Sequence, residues 1–361
     1  MSISDLPPLD NGGPPASAFE FMPAWKFYLP LAPHILKLAI KHRGIATLSA
    51  ANPAISGGGL AGESKSRTLD LVEGPVRELI APYVCVRRDF YDAPPLDIEE
   101  QLKAAGVTFP AVAKPDMSCR GAGVRKVETF NDIRDYWLTF PKGADLMLQS
   151  RIELEPEAGI FYLRDPDTGD ASLFSLTLKY TASVTGDGAT NLRDLIHGNP
   201  RARLTEDVYF QKPNLDLDHV PTEGERVPLA FAGNHCRGAV FRDGAEHMTP
   251  DLLVAVGKVM SAMPDFHFGR MDVRFESLAK LRKGEGFKII EINGVGSEAT
   301  HIWDNRYELK VARDVLKDQY AIAYDFGTKM KAKGAKPTSL LKLIMMWQKE
   351  RRFTARYPVS D

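Results

Sequence analysis

Apolar and polar positions alternate most regularly in residues 269–301, GRMDVRFESLAKLRKGEGFKIIEINGVGSEATH. Residues 271–275 and 287–292 each have the pattern of a strand, and the polar segment between them is typical of a turn. We therefore expect an antiparallel strand pair. Because residues i and i+2 share a face of a strand, Glu291 and Asn293 should point the same way.

The same kind of pattern predicts the other elements. Apolar runs predict strands at residues 44–49, 83–87, 111–113, 146–149 and 172–180. Helical periodicity, capping residues and proline positions predict helices at residues 33–42, 69–79, 98–105, 132–139, 192–196, 250–263, 309–331 and 339–351. This mixture predicts an α+β protein.

The two ends of the chain differ from its middle. Residues 1–19 are rich in Pro, Gly and Ser, and we expect them to be disordered. Residues 306–361 should form a helical tail.

Charge and cysteine content exclude several classes of protein. The net charge of -1 gives no reason to expect nucleic acid as a partner. The chain has 3 cysteines, far apart and odd in number, which argues against a disulfide framework. The sequence has no basic signal region and no apolar run as long as a membrane span, so we expect a cytoplasmic protein.

Oxygen ligands for a metal stand on the predicted strand pair. Asp272 lies on its first strand, and Glu291 and Asn293 end its second. Two carboxylates and an amide suit Mg²⁺, which completes its coordination with phosphate oxygens and water. Arg270 could place a fixed positive charge over a phosphate. The alternative is a solvated hairpin edge, but carboxylates inside apolar strands are costly unless a cation compensates them.

A second candidate site is FPAVAKPDMSCRGAGVRKV, residues 109–127. Lys114 ends a predicted strand immediately before a proline, where it could hold the phosphates of a nucleotide. The loop after it is rich in hydrogen-bond donors and should be mobile, closing over those phosphates. An ordinary hairpin with the same strand–Lys–Pro–loop pattern is the alternative.

Substrate candidates lie in two further segments. Residues 57–66, GGGLAGESKS, lack the spacing of a Walker A motif, so we do not expect ATP there. Two interpretations stay open: a substrate site that uses Glu63, Ser64 and Lys65, or a glycine turn with a capped helix. Asn234 and Arg237, before Gly238, are further polar candidates.

Two amphipathic segments leave a membrane-surface contact open. Residues 21–40 are crowded with aromatic and aliphatic side chains, although Pro23, Pro30 and Pro33 should prevent a single helix there. The predicted helix at residues 339–351 is basic and apolar. For both segments, packing on the protein's own domains is the favoured alternative. A homodimer also stays open.

Taken in order, these features resemble the ATP-grasp superfamily. The resemblance covers residues 109–305 and rests on the Lys-Pro glycine loop, an acidic stretch at about residues 149–157, and Asp272 with Glu291-x-Asn293. GRMDVRF and FKIIEINGVGS are similar to the metal-binding strands of D-alanine–D-alanine ligases and other carboxylate–amine ligases. VTGDGATNLRDLI, residues 184–196, resembles the amino-acid ligase half of cyanophycin synthetase.

The resemblance implies a domain at residues 109–305 whose two α/β lobes clamp ATP, and an amino-terminal α/β domain at residues 20–108 that faces the cleft. It implies ATP and Mg²⁺ as cofactors. It implies nucleotide contacts by Lys114, by the lid residues Ser118, Arg120, Gly121 and Gly123, and by Gln149, Glu157 and Lys179. It also implies that Arg270 faces the transferring phosphate, that Asp272, Glu291 and Asn293 bind Mg²⁺, and that the acceptor pocket contains Ser297, Glu298 and His301.

The activity that the resemblance implies is ATP-dependent ligation of a small-molecule carboxylate to an amine or similar nucleophile, through an acylphosphate, with release of ADP and phosphate. One alternative is an ATP-grasp kinase that phosphorylates a small-molecule hydroxyl. A further alternative is a nucleotide-binding scaffold without turnover.

Overall fold

The computed structural model describes residues 6–9, 14–119, 121–212, 214–231 and 233–361. Within them the expected α+β composition is confirmed. The strands are β1 Tyr83–Arg87, β2 Ala111–Pro115, β3 Arg125–Val127, β4 Asp145–Ser150, β5 Glu157–Arg164, β6 Ala171–Tyr180, β7 Ser183–Thr185, β8 Arg226–Pro228, β9 Val240–Asp243, β10 Phe268–Phe275 and β11 Phe287–Asn293. The helices are α1 Ala24–Tyr28, α2 Ala32–Lys41, α3 Lys65–Asp70, α4 Ile98–Ala104, α5 Phe130–Thr139, α6 Leu192–Gly198, α7 Glu206–Phe210, α8 Pro250–Ser261, α9 Leu278–Arg282, α10 Leu309–Ala332 and α11 Leu340–Thr354.

The strands form two larger antiparallel sheets and a separate β7–β8 pair. The small sheet has the order β1-β4-β2-β3, and α4 and α5 share its core through Leu102 and Trp137. The large sheet has the order β11-β10-β5-β6-β9. We call these two bodies the small lobe and the large lobe. The predicted pairing of β10 with β11 is confirmed as antiparallel.

Both faces of the large sheet are covered, because alternate residues of its strands enter different cores. Ile160 of β5 packs in the core that contains α8, whereas the next residue, Phe161, packs in the core that contains α10 and α2. This explains why β5 is apolar at nearly every position although the sheet is antiparallel.

The strand predicted at residues 44–49 is wrong. Residues 20–79, all of which the structure describes, contain no strand, and Thr47–Ala50 is a 3-10 turn packed on α10. The close approach depends on Gly327, where a Cβ would lie 2.2 Å from the Thr47 carbonyl oxygen. The amino-terminal segment therefore has no sheet of its own and instead covers the large lobe.

The small lobe begins before the expected domain boundary at residues 108 and 109. β1 pairs with β4 along its whole length, from Tyr83 opposite Gln149 to Arg87 opposite Asp145. This pairing joins a segment before residue 109 to the same sheet as β2.

One helix prediction differs from the structure. The helix expected at residues 69–79 does not form as one element: α3 ends at Asp70, Gly74 has a positive φ of 72°, and Pro75 begins a separate 3-10 turn. The helix expected at residues 33–42 is confirmed as α2, and no single α-helix covers residues 21–40. α1, the 3-10 turn Leu29–Leu31 and α2 follow one another directly, with Pro30 and Pro33 in first-turn positions, where a missing N–H is tolerated.

Packed structure begins before residue 20. Ser17 and Phe19 are buried, and the Phe19 ring lies 5.7 Å from that of Phe27 and 5.9 Å from that of Trp303, between centroids. At the other end of the chain, α11 docks through Leu343 and Phe353, and Phe353 contacts the core of the small lobe.

Candidate active site

One face of the large sheet carries a row of polar side chains. In register, Glu291 of β11 is opposite Asp272 of β10, Asp272 is opposite Gly159 of β5, and Gly159 is opposite Thr177 of β6. A Cβ on Gly159 would lie 3.1 Å from Asp272 Oδ1 and 3.2 Å from Arg270 Cδ. The glycine therefore leaves the space that the Arg270–Asp272 pair occupies.

A buried charge network surrounds Asp272. Arg270 donates from Nε to Asp272 Oδ1 (2.8 Å) and from Nη2 to Oδ2 (3.0 Å), and its Nη1 donates to the Glu298 carbonyl (2.9 Å). Lys179 Nζ lies 3.2 Å from Asp272 Oδ1 and donates to Glu157 Oε1 (2.8 Å). The fork geometry fixes the guanidinium group and directs it along the sheet face.

The cations keep the two opposed carboxylates ionised. Burial alone would raise the pKa of Asp272, but Arg270 and Lys179 lower it to about 2. Burial and Asp272 both tend to raise the pKa of Glu291, yet Lys65, whose Nζ lies 3.8 Å from Glu291 Oε2, holds it below its ordinary value. Both groups are therefore negative at neutral pH.

The residues present fit a divalent cation. Asp272 and Glu291 are carboxylates directly opposite each other on paired strands, and Asn293 follows on the same face of β11 with an amide oxygen. Carboxylate and amide oxygens are the kind of ligand that Mg²⁺ takes. In the described part of the chain, no group of three or more His, Cys, Asp or Glu is placed to hold a metal.

The small lobe contributes Lys114 at the end of β2. Its Nζ donates to Oε1 of Gln149 on the neighbouring strand β4 (2.7 Å), and Lys114 is only 5% exposed. Burial lowers the pKa of Lys114 to about 8, although Glu291 raises it in part. A neutral oxygen as its direct partner leaves this cation available to an anionic ligand.

The glycine-rich loop at residues 57–62 packs directly on the turn after β11. Val295 and Gly296 donate from their backbone N–H groups to the carbonyls of Gly58 (2.9 Å) and Gly59 (2.8 Å). The loop delivers Glu63 to the end of β11, where its carboxyl oxygens lie 3.1 and 3.2 Å from the Gly294 nitrogen. Burial raises the pKa of Glu63 to about 8, so this carboxyl group is protonated at neutral pH.

Lys65, at the start of α3, bridges the lobes. Besides facing Glu291, its Nζ donates to the carbonyl of Ser118 (2.7 Å), and its backbone N–H donates to the carbonyl of Asp116 (3.0 Å). Asp116 Oδ1 in turn accepts from the Ser66 N–H (2.7 Å). The amino-terminal segment thereby connects the metal-site strand to the predicted lid.

The last residues of the sequence pair with the predicted lid. Ser360 Oγ donates to the Gly121 carbonyl (2.8 Å) and accepts from the Val124 N–H (3.2 Å). Asp361 donates from its N–H to the Val124 carbonyl (3.0 Å) and accepts at Oδ2 from the Lys126 N–H (2.7 Å). We call residues 357–361 the tail segment.

Tyr357 and α11 extend this contact to both sides of the cavity. The Tyr357 hydroxyl donates to the Met117 carbonyl (2.8 Å), and its ring stacks on Phe140 at 5.5 Å between centroids. Glu350 of α11 accepts from the Gly62 N–H (2.9 Å). The tail segment and α11 therefore hold the lid and the glycine-rich loop at the same time.

Aromatic and carboxylate groups form the end of the cavity near Glu298. The Tyr28 hydroxyl donates to Glu298 Oε1. The His235 ring stacks on Trp303 at 4.5 Å between centroids, and the Phe27 ring lies tilted against Trp303 at 4.9 Å. Because Arg270 contacts the Glu298 carbonyl, this end adjoins the charge network. It is suited to a second substrate beside the transferring group.

Most of the predicted residues line one cavity of about 650 Å³ between the lobes. These are Glu63, Lys65, Lys114, Ser118, Gly121, Gln149, Glu157, Lys179, Asn234, Arg270, Asp272, Glu291, Asn293, Ser297 and Glu298. Ser297, however, uses its hydroxyl within the backbone turn, donating to the Gly294 carbonyl (2.6 Å).

Ser64 and Gly123 are not among the residues that line the cavity. Ser64 caps α3, with its Oγ accepting from the Arg67 N–H (3.2 Å), so the capped-helix interpretation holds for it. Gly123 packs against Pro115 of β2, and a Cβ on Gly123 would lie 2.8 Å from Cγ of Pro115.

Arg237 and His301 also lie outside the cavity lining. His301 is buried, with its ring edge on Tyr307 at 5.6 Å between centroids, and burial lowers its pKa. The turn Thr300–Trp303 directs it away from the acceptor end. The predicted lid residue Arg120 lies outside the described residues.

The cavity lining also contains residues that were not predicted, among them Arg274 and Glu350. Arg274 lines it and donates to the carbonyls of Ile152 (3.0 Å) and Leu154 (3.2 Å). Its position, two residues after Asp272 on the same strand, is a signal that could have identified it. Glu350 carries no such signal, because it reaches the cavity only through the docking of α11.

No family model matches the sequence, and no curated protein is significantly similar to it. Similar solved structures include a bifunctional glutathione synthetase from Pasteurella multocida (17% identity, 71% of this chain, 35% of that chain, TM-score 0.36). A second is a D-Ala:D-Ser ligase from Enterococcus faecalis (12% identity, 71% of this chain, 61% of that chain, TM-score 0.36). A third is a D-alanine–D-alanine ligase from Bacillus anthracis (12% identity, 76% of this chain, 69% of that chain, TM-score 0.41).

The matched region thus spans about a third of the glutathione synthetase. The three solved structures named above are a synthetase and two ligases.

Proposed function

We propose that this protein is an ATP-dependent ligase that joins a small-molecule carboxylate to an amine or similar nucleophile. The observation that carries the proposal is the convergence of Lys114, Lys179 and Arg270 with the opposed carboxylates Asp272 and Glu291 in one cavity between two lobes. Cations from both lobes suit a polyphosphate, and the carboxylates suit the metal that accompanies it.

Each charged group has a distinct role in this scheme. Lys114 and Lys179 hold the nucleotide phosphates, and Arg270, fixed by Asp272, places its charge beside the phosphoryl group that is transferred. Asp272, Glu291 and Asn293 would hold Mg²⁺, which when bound neutralises charge on that phosphoryl group.

The reaction then has two steps. A carboxylate oxygen of the acid attacks the γ-phosphorus of ATP, and ADP leaves with the electron pair of the broken P–O bond. The amine nitrogen attacks the acyl carbon of the acylphosphate, phosphate leaves, and the nitrogen loses a proton. Glu298 accepts from Arg270 at its backbone carbonyl, and we assign its carboxylate to hold the incoming amine. Lid closure would exclude water, which would otherwise hydrolyse the acylphosphate.

Product stoichiometry tests the proposal. We expect ADP and free phosphate in equal amounts, dependent on both acid and amine, and a hydroxamate when hydroxylamine replaces the amine. Lys114→Ala should lose both products together, whereas Lys280→Ala, on the exposed helix α9, should behave as wild type. ADP without free phosphate, alongside a stable phosphorylated product, would overturn the ligase in favour of the kinase. Nucleotide binding without any ADP formation would favour the scaffold.

A further inference from the structure

An exposed apolar stripe follows the helical run at the amino-terminal end. Trp25, Leu29, Leu36 and Ile40 are 64%, 63%, 58% and 72% exposed. They lie on α1, the 3-10 turn and α2, which are continuous. Trp25 with Leu29, and Leu36 with Ile40, stand four residues apart, so each pair shares one face of its helix. Single exposed apolar residues are ordinary on a protein surface, whereas large exposed apolar side chains that follow one another along a surface indicate an interaction site.

The opposite face of the same helical run packs against the rest of the protein. Phe27, Leu31 and Leu38 are 1%, 1% and 6% exposed, and they enter the cores formed with Trp303 and with Phe161. The run is therefore apolar on two faces, and folding of the chain uses only one of them. The second face requires a different explanation.

Basic side chains accompany the stripe. Lys26, Lys37 and Lys41 are exposed and follow it along one edge of the helical wheel. The sequence contains no Asp or Glu between Phe21 and Gly62. On α10, which packs against α2, Asp314 is paired with Lys317 (2.7 Å). The charge around the stripe is consequently positive.

We propose that this surface, Trp25, Leu29, Leu36 and Ile40 with Lys26, Lys37 and Lys41, binds membranes that contain anionic phospholipids. The apolar side chains would enter the interfacial region, and the lysine amines would contact lipid phosphates, as in helices that lie in the plane of a membrane. Trp25 is suited to that depth because its ring is apolar and its N–H is polar.

Charge decides between a membrane and a second copy of the chain. A twofold dimer through this surface would place the same lysines opposite one another, which is unfavourable without acidic partners. An anionic bilayer has the complementary charge. No helix of the described residues is long and apolar enough to cross a bilayer, so the contact would be at the surface.

Vesicle sedimentation tests the inference on the full chain. We expect binding to phosphatidylcholine vesicles only when phosphatidylserine is included, and weaker binding as salt is raised. Trp25→Ser with Ile40→Ser, and separately Lys37→Glu with Lys41→Glu, should each weaken binding about tenfold or more. The far-ultraviolet circular dichroism and melting temperature of these variants should match wild type, since the four side chains are exposed.

A matched control uses the other basic amphipathic helix, α11. Leu341, which is 68% exposed, can be changed to Ser and should leave vesicle binding unchanged. Loss of binding in Leu341→Ser but not in the stripe variants would overturn the proposal, as would equal binding to both vesicle types. Concentration-dependent dimerisation that Ile40→Ser abolishes would also overturn it. Quenching of tryptophan fluorescence by brominated lipid should fall in Trp25→Phe.

Discussion

Gly59 and Gly294 approach each other so closely that neither has room for a side chain: a Cβ on Gly59 would lie 2.6 Å from the Gly294 Cα. One glycine belongs to the glycine-rich loop, and the other follows β11 and its metal-site residues. Gly59 also has a positive φ of 80°. This contact sets the distance between Glu63 and the end of the metal-site strand.

Gly59→Ala should therefore destabilise the protein through both backbone strain and collision, by about 2–4 kcal/mol. Gly74→Ala is the matched control, because Gly74 has a similar φ of 72° but nothing within 4 Å of an added Cβ. It should cost only about 1 kcal/mol. Urea denaturation measures both, and equal losses would mean that the close approach is not tightly packed.

Glu291→Gln should abolish the response to Mg²⁺ while preserving the fold. The substitution keeps the shape of the side chain and relieves the repulsion from Asp272, but Lys65 loses its carboxylate partner, so the apoprotein should fold as wild type does with a small loss of stability. Turnover should fall by about 100-fold or more. Melting temperature with and without Mg²⁺ and nucleotide is the measurement, and an unchanged Mg²⁺-dependent rise would exclude Glu291 as a ligand.

Nucleotide binding should cause proton uptake at Lys114 in mildly alkaline solution. Burial sets the pKa of its amine at about 8, so at pH 8.5 much of it is neutral, and phosphate charge would raise the pKa. We expect uptake of about half a proton or more at pH 8.5 and little near pH 6.5, measured calorimetrically in buffers of different ionisation enthalpy. Uptake that persists in Lys114→Met would contradict this assignment.

The same pKa predicts the sign of a stability effect. Between about pH 8 and the ordinary lysine value of 10.5, the unfolded chain binds more protons at this position than the folded chain does. Lys114 should therefore contribute a rise in stability with pH across that window, and Lys114→Met should lack it.

Removal of the tail segment, residues 357–361, should loosen the lid. Loss of the Ser360 and Asp361 contacts frees the Gly121 and Val124 backbone, so KM for ATP should rise about tenfold while kcat changes less. Proteolysis within residues 118–126 should be faster and should slow when Mg-ATP is added.

Tyr357→Phe is the graded control for this deletion. It removes the hydrogen bond to Met117 but keeps the ring on Phe140, so its effect should be smaller. If deletion leaves both the KM for ATP and the cleavage rate unchanged, the tail segment does not position the lid.

The sequence was most informative where structure depends on neighbouring residues. The alternation around Asp272 and the i, i+2 spacing of Glu291 and Asn293 predicted the strand pair and its polar face, because strand periodicity is a local property. The 3-10 turn Thr47–Ala50 could not be predicted in this way, since it depends on a glycine of α10 far along the chain.

Side-chain direction in loops was equally hard to predict. Ser64 and His301 are polar residues close to the site in the sequence. The Ser64 hydroxyl instead caps α3 by accepting from a backbone N–H, and His301 is buried within a 3-10 turn. Glu350 was missed for the opposite reason: it lies outside every motif and reaches the cavity through tertiary packing.

The pairing of Asp361 with the lid has a practical consequence for preparing the protein. Asp361 hydrogen-bonds to the backbone of Val124 and Lys126, so the first residues of a purification tag fused after Asp361 would lie beside that backbone. The tag could then disturb the hydrogen bonds that hold the loop. Kinetic constants obtained with such a tag would then describe an altered nucleotide site, and a cleavable tag should be removed before ATP affinity is measured.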